Sequence, residues 1–454
     1  MMTDWLLARF AEAADAPAIV WHDEITTYRR LLERTAEFAA ELEERGVARG
    51  SVVALESDYS PDACACLLAL IGRQNVVVPL TSDTRADRDR LFDIARVRHA
   101  VRLLPGGARE HAQPASTGDH PLLARLAQAP EAGLVLFTSG STGEPKAALH
   151  SFPRLLEKYR VRRPSRRTLT FLLLDHIGGI NTLFHVLSNG GTIVTVPERS
   201  PDAICAAIAR HRVQLLPTTP TFLNLLLLSE AVGRHDLSSL SQITYGTEPM
   251  PASTLERLHA VLPHVRLSQT YGLSELGILR ARSSASDSLW VELGGEGVET
   301  QVRDGILWIR SSSAMLGYLN APSPFDAEGW FNTQDEVETD GSAFRIRGRR
   351  SEIINVGGEK VYPAEVESVL LELSNVRDVA VRGQPNPITG QIVVARVNLT
   401  EPESLDSLRR RVREHCRTRL SAFKIPARVE IAEEDQFSPR FKKTRLDHRP
   451  AEVR

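Results

Sequence analysis

A chain of 454 residues is longer than one hydrophobic core usually serves, so two or three domains are expected. Hydrophobic residues make up 42% and charged residues 25%, the balance of an ordinary folded protein rather than a disordered or fibrous one. The formal charge of −2 excludes the basic excess of a nucleic-acid-binding protein. No run of about 18 apolar residues occurs, so no membrane span is expected. The start, Met1-Met2-Thr3-Asp4-Trp5, has no basic-then-apolar export pattern. The four cysteines (Cys64, Cys66, Cys205, Cys416) are too few and too scattered for a disulfide scaffold. Cys64 and Cys66 lie in the apolar run Ala-Cys-Ala-Cys-Leu-Leu-Ala-Leu, where small core residues are a better reading than metal ligands. Together these features predict a cytoplasmic protein.

Along the chain, residues 30–46 place Leu31, Leu32, Thr35, Ala39 and Leu42 on one helical face, closed by Gly46. Ser51–Glu56 reads as a strand, Asp62–Ile71 as a helix and Val76–Leu80 as a strand. Residues 100–130 break into Gly, Pro, Ser and His and predict a surface loop. Leu134–Thr138 and Leu169–Leu174 read as buried strands, Gly178–Ser188 as a helix and Thr192–Val196 as extended. Ala203–Arg210 then reads as a helix, Val213–Leu216 as a strand, and the alternation runs on to Val265–Leu267. Strands alternating with helices imply α/β architecture with parallel-rich sheets. From about 288 to 346 the segments turn short and β-rich, predicting a small β subdomain. Strands at Val376–Arg382 and Gln391–Leu399, with helices near 364–373 and 404–418, form a compact α+β unit. The expected division is an N-terminal domain of 1–350 and a C-terminal domain of 351–454.

Thr138-Ser139-Gly140-Ser141-Thr142-Gly143-Glu144-Pro145-Lys146 follows a buried strand, at the end where open α/β sheets bind ligands. Glycines free backbone N–H groups, hydroxyls add donors and the lysine adds a charge, a set suited to polyphosphate oxygens. A Walker A loop is excluded, because Pro145 precedes the lysine and Ala147 follows it.

Three more segments complete a pattern: Gln269-Thr270-Tyr271-Gly272-Leu273-Ser274-Glu275, then Gly329-Trp330-Phe331-Asn332-Thr333-Gln334-Asp335, then Gly348-Arg349-Arg350-Ser351 running on to Glu367. In this order the set resembles the adenylate-forming superfamily: acyl-CoA synthetases, adenylation domains of nonribosomal peptide synthetases and firefly-type luciferases. The resemblance runs from Thr27-Tyr28 to the lysine near the end, in a chain shorter than usual for the family. It implies a large N-terminal domain, a small mobile C-terminal domain, and acid activation with ATP and Mg²⁺ followed by transfer to a thiol.

Carried over residue by residue, the resemblance puts Thr138, Ser139, Gly140, Ser141, Thr142, Gly143 and Lys146 on the phosphates. Gly246-Thr247-Glu248-Pro249 resembles the strand end on the adenine side, with Tyr271 stacked on the base and Gly272 beside it. Ser274 keeps the hydroxyl of the family's more frequent threonine, and Glu275 is the Mg²⁺ ligand, since a hard cation bridging phosphates needs a carboxylate oxygen. Asp335 resembles the ribose-binding aspartate, although Gln334 replaces the usual glycine before it, and Arg349 reaches the ribose or phosphate. Ser351 holds the hinge position, and Gly357-Gly358 let a pantetheine arm pass, with a simple β-turn as the alternative. Near the end, Lys442 keeps the family's three-residue spacing to Arg445 and is preferred over Lys443 as the catalytic lysine, although Phe441 replaces the glycine before it.

Leu174-Asp175-His176-Ile177-Gly178-Gly179 resembles the acid-site segment of acyl- and aryl-CoA synthetases, with His176, Ile177, Gly179 and Thr270 around the acid. Ile177 stands where amino-acid-activating relatives carry an aspartate and cannot pair with an ammonium. A carboxylic acid lacking an α-amino group is therefore expected; a one-residue shift would offer Asp175 instead. The acceptor is expected to be CoA or a carrier-protein phosphopantetheine, and a non-catalytic adenylate-binding relative is the alternative outside enzyme chemistry. The oligomeric state is not legible from one sequence.

Overall fold

The computed structural model describes residues 4–114, 118–139, 144–438 and 441–445. Two seven-stranded sheets form the large part of the molecule. In the first, six parallel strands run in the order Arg266–Gln269, Gln242–Tyr245, Leu215–Thr218, Arg167–Leu169, Thr192–Val194, Pro17–Trp21. Glu24–Thr27 closes that sheet as an antiparallel hairpin partner. The second sheet has parallel strands Gly133–Ser139, Val76–Leu80, Val52–Glu56 and His99–Leu103 at its centre, with antiparallel strands at both edges. The central strands Val52–Glu56 and Val76–Leu80 read as apolar runs, as strands buried on both faces do. The helix Pro61–Gly72 is buried almost throughout, including Cys64 and Cys66, and burial pushes the Cys64 thiol up to about 12.

A six-stranded antiparallel sheet spans Arg280–Arg349, starting earlier than the expected 288. Beyond the short turn Arg350–Glu352 comes a five-stranded sheet carrying the helices Pro363–Leu370 and Leu405–Arg417. This last unit closes its own core around Val366, Leu370, Val381, Val397, Leu408 and Val412.

Two expectations are corrected. The stretch 100–130 is no plain loop: it holds the antiparallel pair His99–Leu103 and Arg109–Ala112 and the helix Pro121–Gln128. Its residues alternate or pack on one side only, so the broken apolar pattern hid short elements. The strand at 169–174 ends at Leu169. The chain then wraps over Gly179, where a Cβ would meet the Leu173 carbonyl oxygen at 1.8 Å.

Candidate active site

The carboxyl ends of the first sheet's parallel strands supply one wall of the site, as expected for an α/β sheet. After Gln242–Tyr245 comes Gly246, where a Cβ would lie 2.5 Å from the Thr270 hydroxyl. That hydroxyl and the Thr270 N–H both bond the Tyr245 carbonyl. The two strand ends are thus fastened together with no room for a side chain between them. Thr247 follows in a left-handed turn, φ 74°. Glu248 does not face open space: one carboxylate oxygen accepts from Thr221 N–H (2.8 Å), at the start of the helix Pro220–Leu228, and the other from Lys443 N–H (3.0 Å).

Tyr271 and Asp335 meet across the cleft. The phenol donates to the Asp335 carboxylate at 2.5 Å, and both residues are buried. Asp335 and Arg349 are paired neighbours on the antiparallel strands Phe331–Asp340 and Ala343–Arg349, with guanidinium and carboxylate 3.5 Å apart. Burial pushes the Asp335 carboxyl up, and Arg349 and the Tyr271 hydroxyl oppose that shift. Gln334, at the missing glycine, still adopts a left-handed φ of 63°, so the turn survives the substitution.

Thr138 and Lys146 pair across the hairpin formed by Gly133–Ser139 and Pro145–Ser151. Gly140, Ser141, Thr142 and Gly143 lie outside the described residues, as does the side chain of Ser139. Lys146 sits 5.4 Å above the ring of Tyr318, whose hydroxyl donates to Glu275 at 2.6 Å. Behind them, His150 is fully buried and its Nε2 bonds the Ser274 carbonyl at 2.6 Å. Nε2 is therefore the protonated nitrogen. Burial lowers His150 to about 4, against the opposing pull of the Ser274 carbonyl, so the ring is neutral. Among the described residues, no three acids, histidines or cysteines cluster to hold a metal. The carboxylate of Glu275, linked through Tyr318 to Lys146, suits Mg²⁺, which binds through one or two carboxylates plus substrate phosphates.

Two adjacent lysines diverge. Lys442 is exposed, but crowding and Arg349 push its ammonium below the usual lysine value. Lys443 is buried against Asp378 (3.1 Å) and donates to the Val379 carbonyl (2.8 Å). Burial alone would lower it, but Asp378, Glu367 and Glu248 reverse the shift and raise it. Arg445 clamps buried Glu367 with two bonds of 2.8 and 2.9 Å and reaches Glu352.

In the predicted acid segment, His176 Nδ1 accepts the Gly178 N–H at 2.9 Å, capping the helix Ile177–Leu187. Ile177 is buried at the first turn. Asp175 is buried too and accepts from the Thr81 hydroxyl at 2.9 Å. Gly357 and Gly358 are not brought to this cleft. They form an exposed turn between Ile354–Val356 and Glu359–Val361, with φ of 63° and 92°. A two-residue hairpin turn needs such angles, so the turn by itself accounts for both glycines. The sequence reading missed Tyr318 and His150: each meets its partner only through strand pairing distant in the chain, Tyr318 lying 43 residues from Glu275.

Residues 7–319 match the family described as AMP-binding enzyme, and residues 365–445 match the AMP-binding enzyme C-terminal domain. The chain is 28% identical to indoleacetate–CoA ligase of Aromatoleum aromaticum, an alignment covering 95% of this chain and 94% of that protein. It is 29% identical to a medium/long-chain-fatty-acid–acyl-carrier-protein ligase of Mycobacterium tuberculosis, covering 82% and 81% respectively. In fold it is similar to an anthranilate CoA ligase in complex with anthranoyl-AMP, with a TM-score of 0.84, 21% identity, and coverage of 98% and 95%.

Proposed function

The chain belongs to the AMP-binding enzyme family, and we propose that it joins a carboxylic acid without an α-amino group to the thiol of coenzyme A. The overall reaction is that of an AMP-forming acid–thiol ligase. A carboxylate oxygen attacks the α-phosphorus of ATP and pyrophosphate leaves; the thiol sulfur then attacks the acyl carbon and AMP leaves. What supports this reading is the cluster of Tyr271, Asp335 and Arg349, whose charges Lys442 feels.

Each residue has a role in this proposal. Asp335 accepts from the ribose hydroxyls, and its bond from Tyr271 fixes the ring that stacks on adenine. Thr138 and Lys146 flank the phosphates at the base of their hairpin. Glu275, aimed by Tyr318, holds Mg²⁺, which when bound neutralises phosphate charge. Ser274 offers its hydroxyl beside Glu275. Lys442 stabilises the charge that grows as carboxylate meets phosphorus. The C-terminal unit is taken to begin at Ser351, in the exposed turn Arg350–Glu352, and to swing so that Gly357 and Gly358 face the thiol in the second step.

The engagement of Asp175 with Thr81 and the burial of Ile177 support an acid without an α-amino group. An ammonium there would be left without a carboxylate partner, a costly burial. The similarity to a carrier-protein ligase favours a second reading, in which a carrier-protein phosphopantetheine is the acceptor. Incubating the protein with ATP, Mg²⁺ and fatty, aryl, hydroxy or amino acids, with either CoA or a phosphopantetheinylated carrier protein, tests both. A CoA thioester of a simple acid, read by mass, is expected. Loading of the carrier alone selects the second reading, and a preference for α-amino acids contradicts the acid assignment.

A further inference from the structure

Lys442 lies beside the bridge that pairs Phe437 with Lys443. Phe441 N–H donates to the Ser438 carbonyl (2.8 Å), and Ser438 N–H to the Lys442 carbonyl (2.8 Å). Phe441 has φ 53°, a left-handed conformation that glycine takes freely and a bulky residue rarely adopts. The ring explains why a phenylalanine is held there. Its centroid lies 5.1 Å from Phe171, 5.4 Å edge-on from Phe222 and 5.5 Å stacked on Phe437. Phe171 and Phe222 belong to the buried core beneath the first sheet, so a ring from the C-terminal part plugs into the N-terminal part. Two polar contacts hold the same residues: Thr219 hydroxyl to the Phe441 carbonyl (2.8 Å), and Lys443 N–H to Glu248 (3.0 Å).

We propose that Phe441 is a positioning residue for Lys442: its ring seats residues 441–443 so that the next ammonium faces the adenylation cleft, and it must withdraw before acyl transfer. This rests on the two-step reading above. Edge-to-face and offset aromatic contacts add stabilisation beyond area burial, and those with Phe171 and Phe222 are lost once the C-terminal unit turns. The ring therefore favours the arrangement that makes acyl-adenylate over the one that consumes it.

Phe441→Gly is the direct test, because glycine accepts the left-handed turn and only the ring is removed. Adenylation, read as acid-dependent exchange of pyrophosphate into ATP, is expected to fall at least about ten-fold. Transfer to the thiol from supplied acyl-adenylate is expected to stay level or quicken. Phe441→Leu, which keeps an apolar plug, should recover most of the adenylation. Hydrogen exchange on the full chain without substrates gives a readout independent of turnover. In Phe441→Gly the amides of Lys443 and of Thr219–Leu228 should lose protection, while the strands Val376–Asn386 and Gly390–Leu399 keep theirs. Unchanged protection, adenylation at the parent rate, or an equal fall in both half-reactions overturns the proposal. If the parent protein adenylates no acid at all, the ligase reading fails, and the exchange data still decide whether Phe441 anchors residues 441–443.

Discussion

Lys442 and Lys443 are neighbours in the chain with opposite environments: Lys442 is exposed and feels the Arg349 charge, whereas Lys443 is buried 3.1 Å from Asp378. Spacing to Arg445 could only rank them; a carboxylate from a distant strand separates them. Lys443→Ala should leave the Asp378 carboxylate buried without its cation and cost about 3–5 kcal/mol of stability. Denaturant melts of Lys443→Ala and Lys442→Ala test this: only the first should shift strongly. Equal midpoints would mean that the two lysines share one role.

Tyr318 links Lys146 to Glu275. Tyr318→Phe keeps a ring beneath Lys146 but removes the hydroxyl bonded to Glu275. A hydrogen bond to a charged group contributes about 1.5–3 kcal/mol, so adenylation should fall by about ten-fold or more, with a raised Mg²⁺ requirement. Glu275→Gln should nearly abolish it, since an amide is a poor ligand for a hard cation. A Mg²⁺ titration of both variants checks the order. Full activity of Glu275→Gln would remove that residue from the metal site.

His150 makes a prediction about pH. Its ordinary value of 6.5 drops to about 4 in the fold, so the unfolded chain takes up this proton first. Its contribution to stability is complete above about pH 6.5 and is lost as pH falls toward 4. The full shift corresponds to roughly 3 kcal/mol. His150→Gln can still donate to the Ser274 carbonyl but cannot titrate. Its melting temperature should fall less steeply than that of the parent between pH 6.5 and 4. Parallel curves would contradict the assignment.

Parts of the α/β core were legible because central strands are apolar runs and amphipathic helices show a one-sided pattern. The helix Tyr28–Glu44 and the strand Val76–Leu80 followed directly. Where pattern and packing part company, legibility failed. The chain after Leu169 is as apolar as a strand, yet it folds over Gly179. Tyr271, Asp335 and Arg349 were legible through the resemblance to the adenylate-forming superfamily, and the structure puts them side by side. Their supports were not: His150 and Tyr318 are set by sheet register, and Glu248 proved to bind two backbone N–H groups of the protein itself. Phe441 and Gln334 read as lost glycines, and only the backbone angles show that both turns persist.

Asp175 tests the acid reading from the side of structure. Asp175→Ala should leave the preference for simple acids unchanged while lowering stability by about 1–3 kcal/mol, because the buried Thr81 hydroxyl loses its acceptor. A panel of pyrophosphate-exchange rates alongside a thermal melt reads both. Loss of activity toward α-amino acids alone would instead place Asp175 at an ammonium.

The most direct test of the central claim separates the two half-reactions in Lys442→Ala. Acid-dependent exchange of labelled pyrophosphate into ATP should fall by about two to three powers of ten, as for loss of one strong charge-stabilising donor. Transfer from supplied acyl-adenylate to the thiol should proceed near the parent rate. Equal loss of both steps, or exchange at the parent rate, would contradict a ligase in which Lys442 serves acyl-adenylate formation.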